Sequence, residues 1–223
     1  MNKFWYTLVA LIIIAVSIGV LYLYLTSREK EKKSLKEFFA ININKKFLIL
    51  SASMLCISIF TYIYSFFVMD ASFLKAFMSA EVASWLLVLG YIDLKEKIIP
   101  NQLILSGIVF WAILSIIEIC LSHTTWKQVL FFSLIGAGVC GGILFVIALI
   151  VKSALGMGDV KMFFVIGLLY GLSNTYSIML FSILIMAIVS IALLIAKKVT
   201  RKTAVPMAPF VAFGFLINVL MGM

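Results

Sequence analysis

The sequence predicts an all-α, polytopic membrane protein with about eight transmembrane helices, and three observations predict it. Of its 223 residues, 65% are hydrophobic and 12% charged, whereas a soluble globular domain carries about a quarter charged residues. Apolar stretches near or above the ~20 residues needed to cross ~30 Å of hydrocarbon recur along the whole chain. Between them, Lys and Arg alternate in density from one connection to the next, as membrane insertion requires.

Taken in order, the apolar segments are 4–25, 47–68, 73–92, 101–121, 127–151, 159–172, 175–196 and 206–221. The first follows Lys3 and has the polarity of an export signal. Its 22 residues exceed the usual ~7–15, however, no small-x-small site precedes Arg28, and export would carry the densest basic loop outward. A retained anchor is expected. Residues 28–46 form a polar stretch with seven bases and Glu29, Glu31 and Glu37, expected to be a solvated juxtamembrane loop touching anionic lipid. A short turn with Asp70 separates the second and third segments. Pro100 halts the chain after the third and starts the fourth, because proline lacks an N–H and fixes φ. Gly156 and Gly158 precede the sixth, and Pro206 opens the last. The expected organisation is two amino-terminal helices with a basic loop over 1–72, then a six-helix core over 73–223.

Eight spans put both termini on one side. With the termini outside, 15 of the 18 Lys and Arg fall in the cytoplasmic connections, and only Lys3, Lys75 and Lys127 lie outside. Basic residues are retained on the cytoplasmic side, so this orientation in the plasma membrane is the expected one.

Several function classes fall away. The net charge of +9 is spread over short loops rather than along a basic, aromatic-interleaved face, so nucleic acid is not an expected partner. Cys56, Cys120 and Cys140 sit in apolar runs and form no C-x-x-C pair, so neither a metal site nor a disulfide framework is indicated. His123, alone in an outer loop, reads as solvated.

Carboxylates are scarce, and an ionised side chain at mid-membrane costs about 2.5–3.5 kcal/mol on insertion scales. Asp70 reads as a solvated turn residue. Asp93 closes the third segment and Asp159 opens the sixth, which puts both at the cytoplasmic boundary. Glu81 lies roughly 18 Å from Asp93 along a helix and cannot share its site. Glu118 is near the outer end of its span. Two close carboxylates in a low-dielectric site cannot both ionise and share a proton. One then acts as base toward water while the other donates to a carbonyl oxygen. The helix dipole favours the anion at Asp159, which opens a helix, over Asp93, which closes one, so Asp159 is expected to be the anionic partner.

The surroundings of each aspartate carry a resemblance. Ile92-Asp93-Leu94 is followed by Ile99-Pro100-Asn101, then come Gly156-Met157-Gly158-Asp159-Val160-Lys161 and a closing Pro206-Met207-Ala208-Pro209-Phe210. Together they resemble the type IV prepilin peptidases and preflagellin peptidases, a branch of the G-x-G-D intramembrane aspartic proteases. The 66-residue separation of the aspartates also fits, and the resemblance covers about 73–221.

It implies an endopeptidase that removes a short basic leader from prepilin-like precursors at the cytoplasmic membrane face, usually after glycine. Asp93 and Asp159 carry over as the catalytic pair, Gly156 and Gly158 as flanking glycines, and Lys161 as a motif position of undefined role, with Pro100 and Asn101 as supporting residues. No cofactor is implied for the peptidase. Bifunctional members also methylate the new amino terminus with S-adenosylmethionine and carry two C-x-x-C pairs in a cytoplasmic region, whereas residues 28–46 contain no cysteine. Methyl transfer is therefore not expected. An ion-coupled transporter would show an internal repeat and mid-membrane acids, and a purely structural protein would need no paired aspartates.

Overall fold

The computed structural model describes residues 3–31, 45–122, 125–150, 156–197 and 205–222. Most of the basic stretch expected to touch lipid, residues 32–44, lies outside the described residues, as do His123, Lys152 and 198–204. Backbone N–H and C=O groups have no water to bind inside a bilayer, so each apolar segment satisfies them internally as a helix. The helices are α1 (Lys3–Glu31), α2 (Lys45–Ile63), α3 (Phe73–Glu96), α4 (Asn101–Ser122), α5 (Trp126–Gly136), α6 (Gly142–Ile150), α7 (Met157–Ile195) and α8 (Ala208–Leu220). A π-helical turn, Tyr64–Val68, extends α2, and another, Ala137–Gly141, joins α5 to α6.

Among the described residues, six helical stretches are long and apolar enough to cross a membrane: Tyr6–Arg28, Ile49–Val68, Phe73–Glu96, Asn101–Leu121, Trp126–Ile150 and Met157–Ile195. Their outward faces are apolar, as at Ile12, Val16, Val20 and Leu23 on α1 and Leu105, Val109, Ile113 and Ile116 on α4. Water cannot be the solvent for such stripes, and the chain is an integral, all-α membrane protein. Each of the eight expected segments is helical over most of its described length. The count of six arises because the sixth and seventh run on within α7, while α8 has 13 residues and is about 20 Å long.

α7 is not a straight rod. Gly171 has φ 67° and ψ −170°, a conformation essentially reserved for glycine. The Thr175 hydroxyl donates to the Ile166 carbonyl at 3.3 Å, although nine residues of straight helix would separate them by about 13.5 Å. The chain therefore folds back sharply at Gly171. Neighbouring residues of α8 meet both arms: Phe215 stacks edge-on against Tyr170 at 5.6 Å, and Gly214 abuts the Ile178 carbonyl of the second arm.

The residues form two compact units, Met1–Ser84 and Trp85–Met223, divided within α3. In the first, Ser17 of α1 donates to Glu81 of α3 at 2.9 Å, and the hydroxyls of Ser65 and Ser79 lie 3.1 Å apart. In the second, the Trp85 indole N–H donates to the Leu103 carbonyl at 2.9 Å, tying α3 to α4. A Cβ on Gly136 would stand 2.5 Å from the Gly167 carbonyl oxygen, so α5 and α7 touch backbone to backbone. Small residues allow this approach, which drives helix association where lipid removes the hydrophobic contrast.

Asn218 of α8 is fully buried, and neither its side-chain oxygen nor its nitrogen finds a hydrogen-bond partner among the described residues. An unsatisfied buried polar group costs about 1–3 kcal/mol. Asn218→Leu, nearly equal in volume, is expected to raise the thermal unfolding midpoint in detergent. A lowered midpoint would mean that the amide is paired after all.

Candidate active site

Asp93 lies in the last turn of α3. Lys97 ends that helix in the left-handed region, with φ 55°, and its N–H closes the turn on the Asp93 carbonyl at 2.8 Å. The Asp93 side chain is only 6% exposed. It accepts the Ala208 N–H at Oδ2 over 3.0 Å. That N–H is free because the first N–H groups of a helix have no partner within it. One turn before Asp93, a Cβ on Gly90 would lie 3.2 Å from Pro209 Cα, so a side chain there would crowd the start of α8.

Asp159 is the third residue of α7, which Gly156 caps with φ −76° and ψ 141°. Its Oδ2 accepts the Gly156 N–H at 3.3 Å, and its own N–H donates to the Gly156 carbonyl at 3.0 Å. The motif glycines are needed for space rather than for positive φ, since neither is among the residues with that conformation. A Cβ on Gly156 would come within 3.2 Å of the Asp159 carboxylate, and one on Gly158 would come 2.8 Å from Ile99 Cβ.

The second unit brings these pieces together. The two carboxylates are close enough for their charges to interact. Ile99 packs on Gly158, the Pro100 carbonyl accepts the Leu103 and Ile104 N–H groups that start α4, and the Lys161 ammonium donates to Asn101 Oδ1 at 2.9 Å. Asp93, Pro100, Asn101, Gly156, Gly158, Asp159 and Lys161 thus belong to one cluster. Asp70 is exposed in its turn, and Glu81 is engaged by Ser17 in the other unit.

Asp93 does close a helix, but it also faces the amino-terminal N–H groups of α8. Both carboxylates therefore receive N–H groups from helix starts, and the dipole contrast between them disappears. The Ala208 N–H was missed because it comes from 115 positions away; the spacing of Pro206 and Pro209 signalled a helix start but not its target. Two carboxylates whose charges interact are suited to acid–base work, one accepting a proton from water while the other donates.

Comparison with known proteins agrees in outline. The profile of the type IV leader peptidase family matches residues 80–191, a stretch that includes both aspartates. The prepilin leader peptidase/N-methyltransferase of Bacillus subtilis (strain 168) is 29% identical over 149 residues, which cover 67% of this chain and 57% of the relative. The chain thus spans less than two thirds of that protein's length. No solved structure matches it.

Gly→Ala in a helix normally gains up to about 1 kcal/mol. At position 158 the added methyl would meet Ile99 at its Cβ, and overpacking costs about 1–3 kcal/mol. Gly158→Ala is therefore expected to lower the unfolding midpoint, and Ile99→Ala added to it is expected to recover part of the loss. Stabilisation by Gly158→Ala alone would show that the contact yields.

Proposed function

We propose that this chain, which belongs to the type IV leader peptidase family, is an aspartic endopeptidase. It removes the short basic leader of prepilin-like precursors (type IV pilins, pseudopilins or preflagellins) at the cytoplasmic face of the plasma membrane. The observation that supports this reading is that Asp93 and Asp159 lie in one unit, near enough for their charges to interact, each carboxylate accepting a backbone N–H. Gly156, Gly158, Pro100, Asn101 and Lys161 support the pair, and residues 73–223 form the peptidase core.

In the proposed reaction one carboxylate accepts a proton from the attacking water while the other donates its proton to the peptide carbonyl oxygen. Collapse of the tetrahedral adduct transfers a proton to the leaving amine and restores the singly protonated pair. The Ala208 and Gly156 N–H groups fix the two side chains, so little reorganisation accompanies the proton transfers.

The sidedness rests on the basic residues, which on this reading leave both termini outside and the site inside. Anionic lipid contacts the basic stretch 28–46, and nucleic acid is not a partner. Residues 28–46 lack the cysteine pairs of the bifunctional members, which argues for peptidase activity without methyl transfer. The Bacillus subtilis relative carries both activities in its name, so mass spectrometry of a processed product should show an unmethylated amino terminus here.

Co-expression with a prepilin, with leader removal followed by gel shift, tests the reading. Asp93→Asn and Asp159→Asn are each expected to slow processing by at least about 10²–10⁴-fold, the usual contribution of general acid–base catalysis. Asp70→Asn should process normally. Full processing by either of the first two variants would sink the two-aspartate mechanism.

A further inference from the structure

The first turn of α7 grips the connection between α3 and α4 at two points, Gly158 against Ile99 and Lys161 on Asn101. We propose that Lys161 is a positioning residue of the peptidase site. Its ammonium, hydrogen-bonded to Asn101, holds that connection on α7 and thereby fixes the separation of Asp93 and Asp159. The proposal rests on the peptidase reading above.

Lys161 follows Asp159 by two residues, and positions two apart lie about 200° apart around a helix. Its ammonium therefore leaves the opposite side of α7 from the carboxylate, and a role in proton transfer does not suit it. Its partner begins α4, directly after the Pro100 carbonyl that caps the helix. At its other end the connection is anchored on Asp93 itself, through the Lys97 N–H to the Asp93 carbonyl at 2.8 Å. Asp93, the connection, Asn101, Lys161 and Asp159 thus form a short series of links from one carboxylate to the other. Lys97, held in the left-handed region, leaves that series little slack. Any slip of α7 along the connection passes straight into the distance between the two carboxylates, on which shared-proton chemistry depends steeply.

The chemistry of the pair fits a clamp. Both side chains are exposed, and a cationic donor makes a stronger hydrogen bond than a neutral one, which compensates for competition with water. The acceptor is a neutral amide. A carboxylate at position 101 would bring a third negative group near two that must share a proton.

The test uses the purified full chain in detergent with a prepilin substrate. Lys161→Met and Asn101→Ala are each expected to lower kcat about tenfold with KM changed less than about twofold. The double variant should be no slower than either single one, and Lys161→Arg, which keeps a cationic donor, should recover most of the rate. Amide hydrogen exchange over residues 97–104 should quicken in Lys161→Met and Asn101→Ala and stay unchanged in Lys161→Arg. A wild-type kcat for Lys161→Met, or a slow Lys161→Met beside a normal Asn101→Ala, would overturn the clamp while Asp93→Asn remained inactive. Full processing by Asp93→Asn would instead remove the peptidase reading, and the positioning role with it.

Discussion

The hydrogen bond from the Ala208 N–H to the Asp93 carboxylate is the interaction on which the second unit depends. A carboxylate at the edge of an apolar bundle and the bare N–H groups of a helix start are both costly to withdraw from water. Here each removes the other's penalty. The local sequence serves that match: Pro209 contributes no N–H of its own within the first turn of α8, and Gly90 lets that turn come within contact of α3. Asp93 consequently holds the start of α8 in place besides presenting a carboxyl group, which makes its two roles inseparable in the folded protein.

The fold-back at Gly171 supplies the rest of the scaffold. Its first arm, begun by the Asp159 turn, is short, and so is α8, begun by the Ala208 turn. The two helices start where the carboxylates are, and each directs its free N–H groups to one of them. The same device, the amino terminus of a broken or short helix directed at negative charge, is used where membrane proteins bind anions. The second arm of α7 packs on α8 through Gly214, and α5 packs on α7 through Gly136 and Gly167, so small residues let the helices that frame the site approach closely. In a bilayer this close packing replaces the hydrophobic drive that would hold a soluble bundle together.

The spans were legible because lipid imposes one strong rule, length of apolar sequence, and nearly every helix obeys it. Their ends were less so. The third segment runs to Glu96 rather than 92, because helical hydrogen bonding continues into the polar boundary where hydropathy has already fallen; Asp93 therefore lies inside a helix rather than just after it. Asp93 and Asp159 were legible as candidates from depth and motif together. The α8 N–H groups, the fold-back at Gly171 and the partner of Lys161 were not, since each depends on a tertiary contact that no local pattern encodes. Glu81 illustrates the reverse case: its isolation from Asp93 followed from helix rise alone, but its engagement by Ser17, 64 positions earlier, did not.

The two carboxylates, alike in their helix-start donors, differ in access. Asp93 is enclosed by α8, whereas Asp159 is partly open, beside an exposed Gly156 and a half-exposed Gly158. Side chains at those two positions would meet the Asp159 carboxylate and Ile99, so the glycines both seat the turn and keep its outer surface bare. A bare backbone next to the open carboxylate is what an extended peptide needs in order to lie within reach of the pair. On the proposed function, substrate then approaches from the Asp159 side and meets Asp93 as the fixed, enclosed partner. On that proposal, enclosure by α8 distinguishes the two aspartates, rather than the end of the helix each residue occupies.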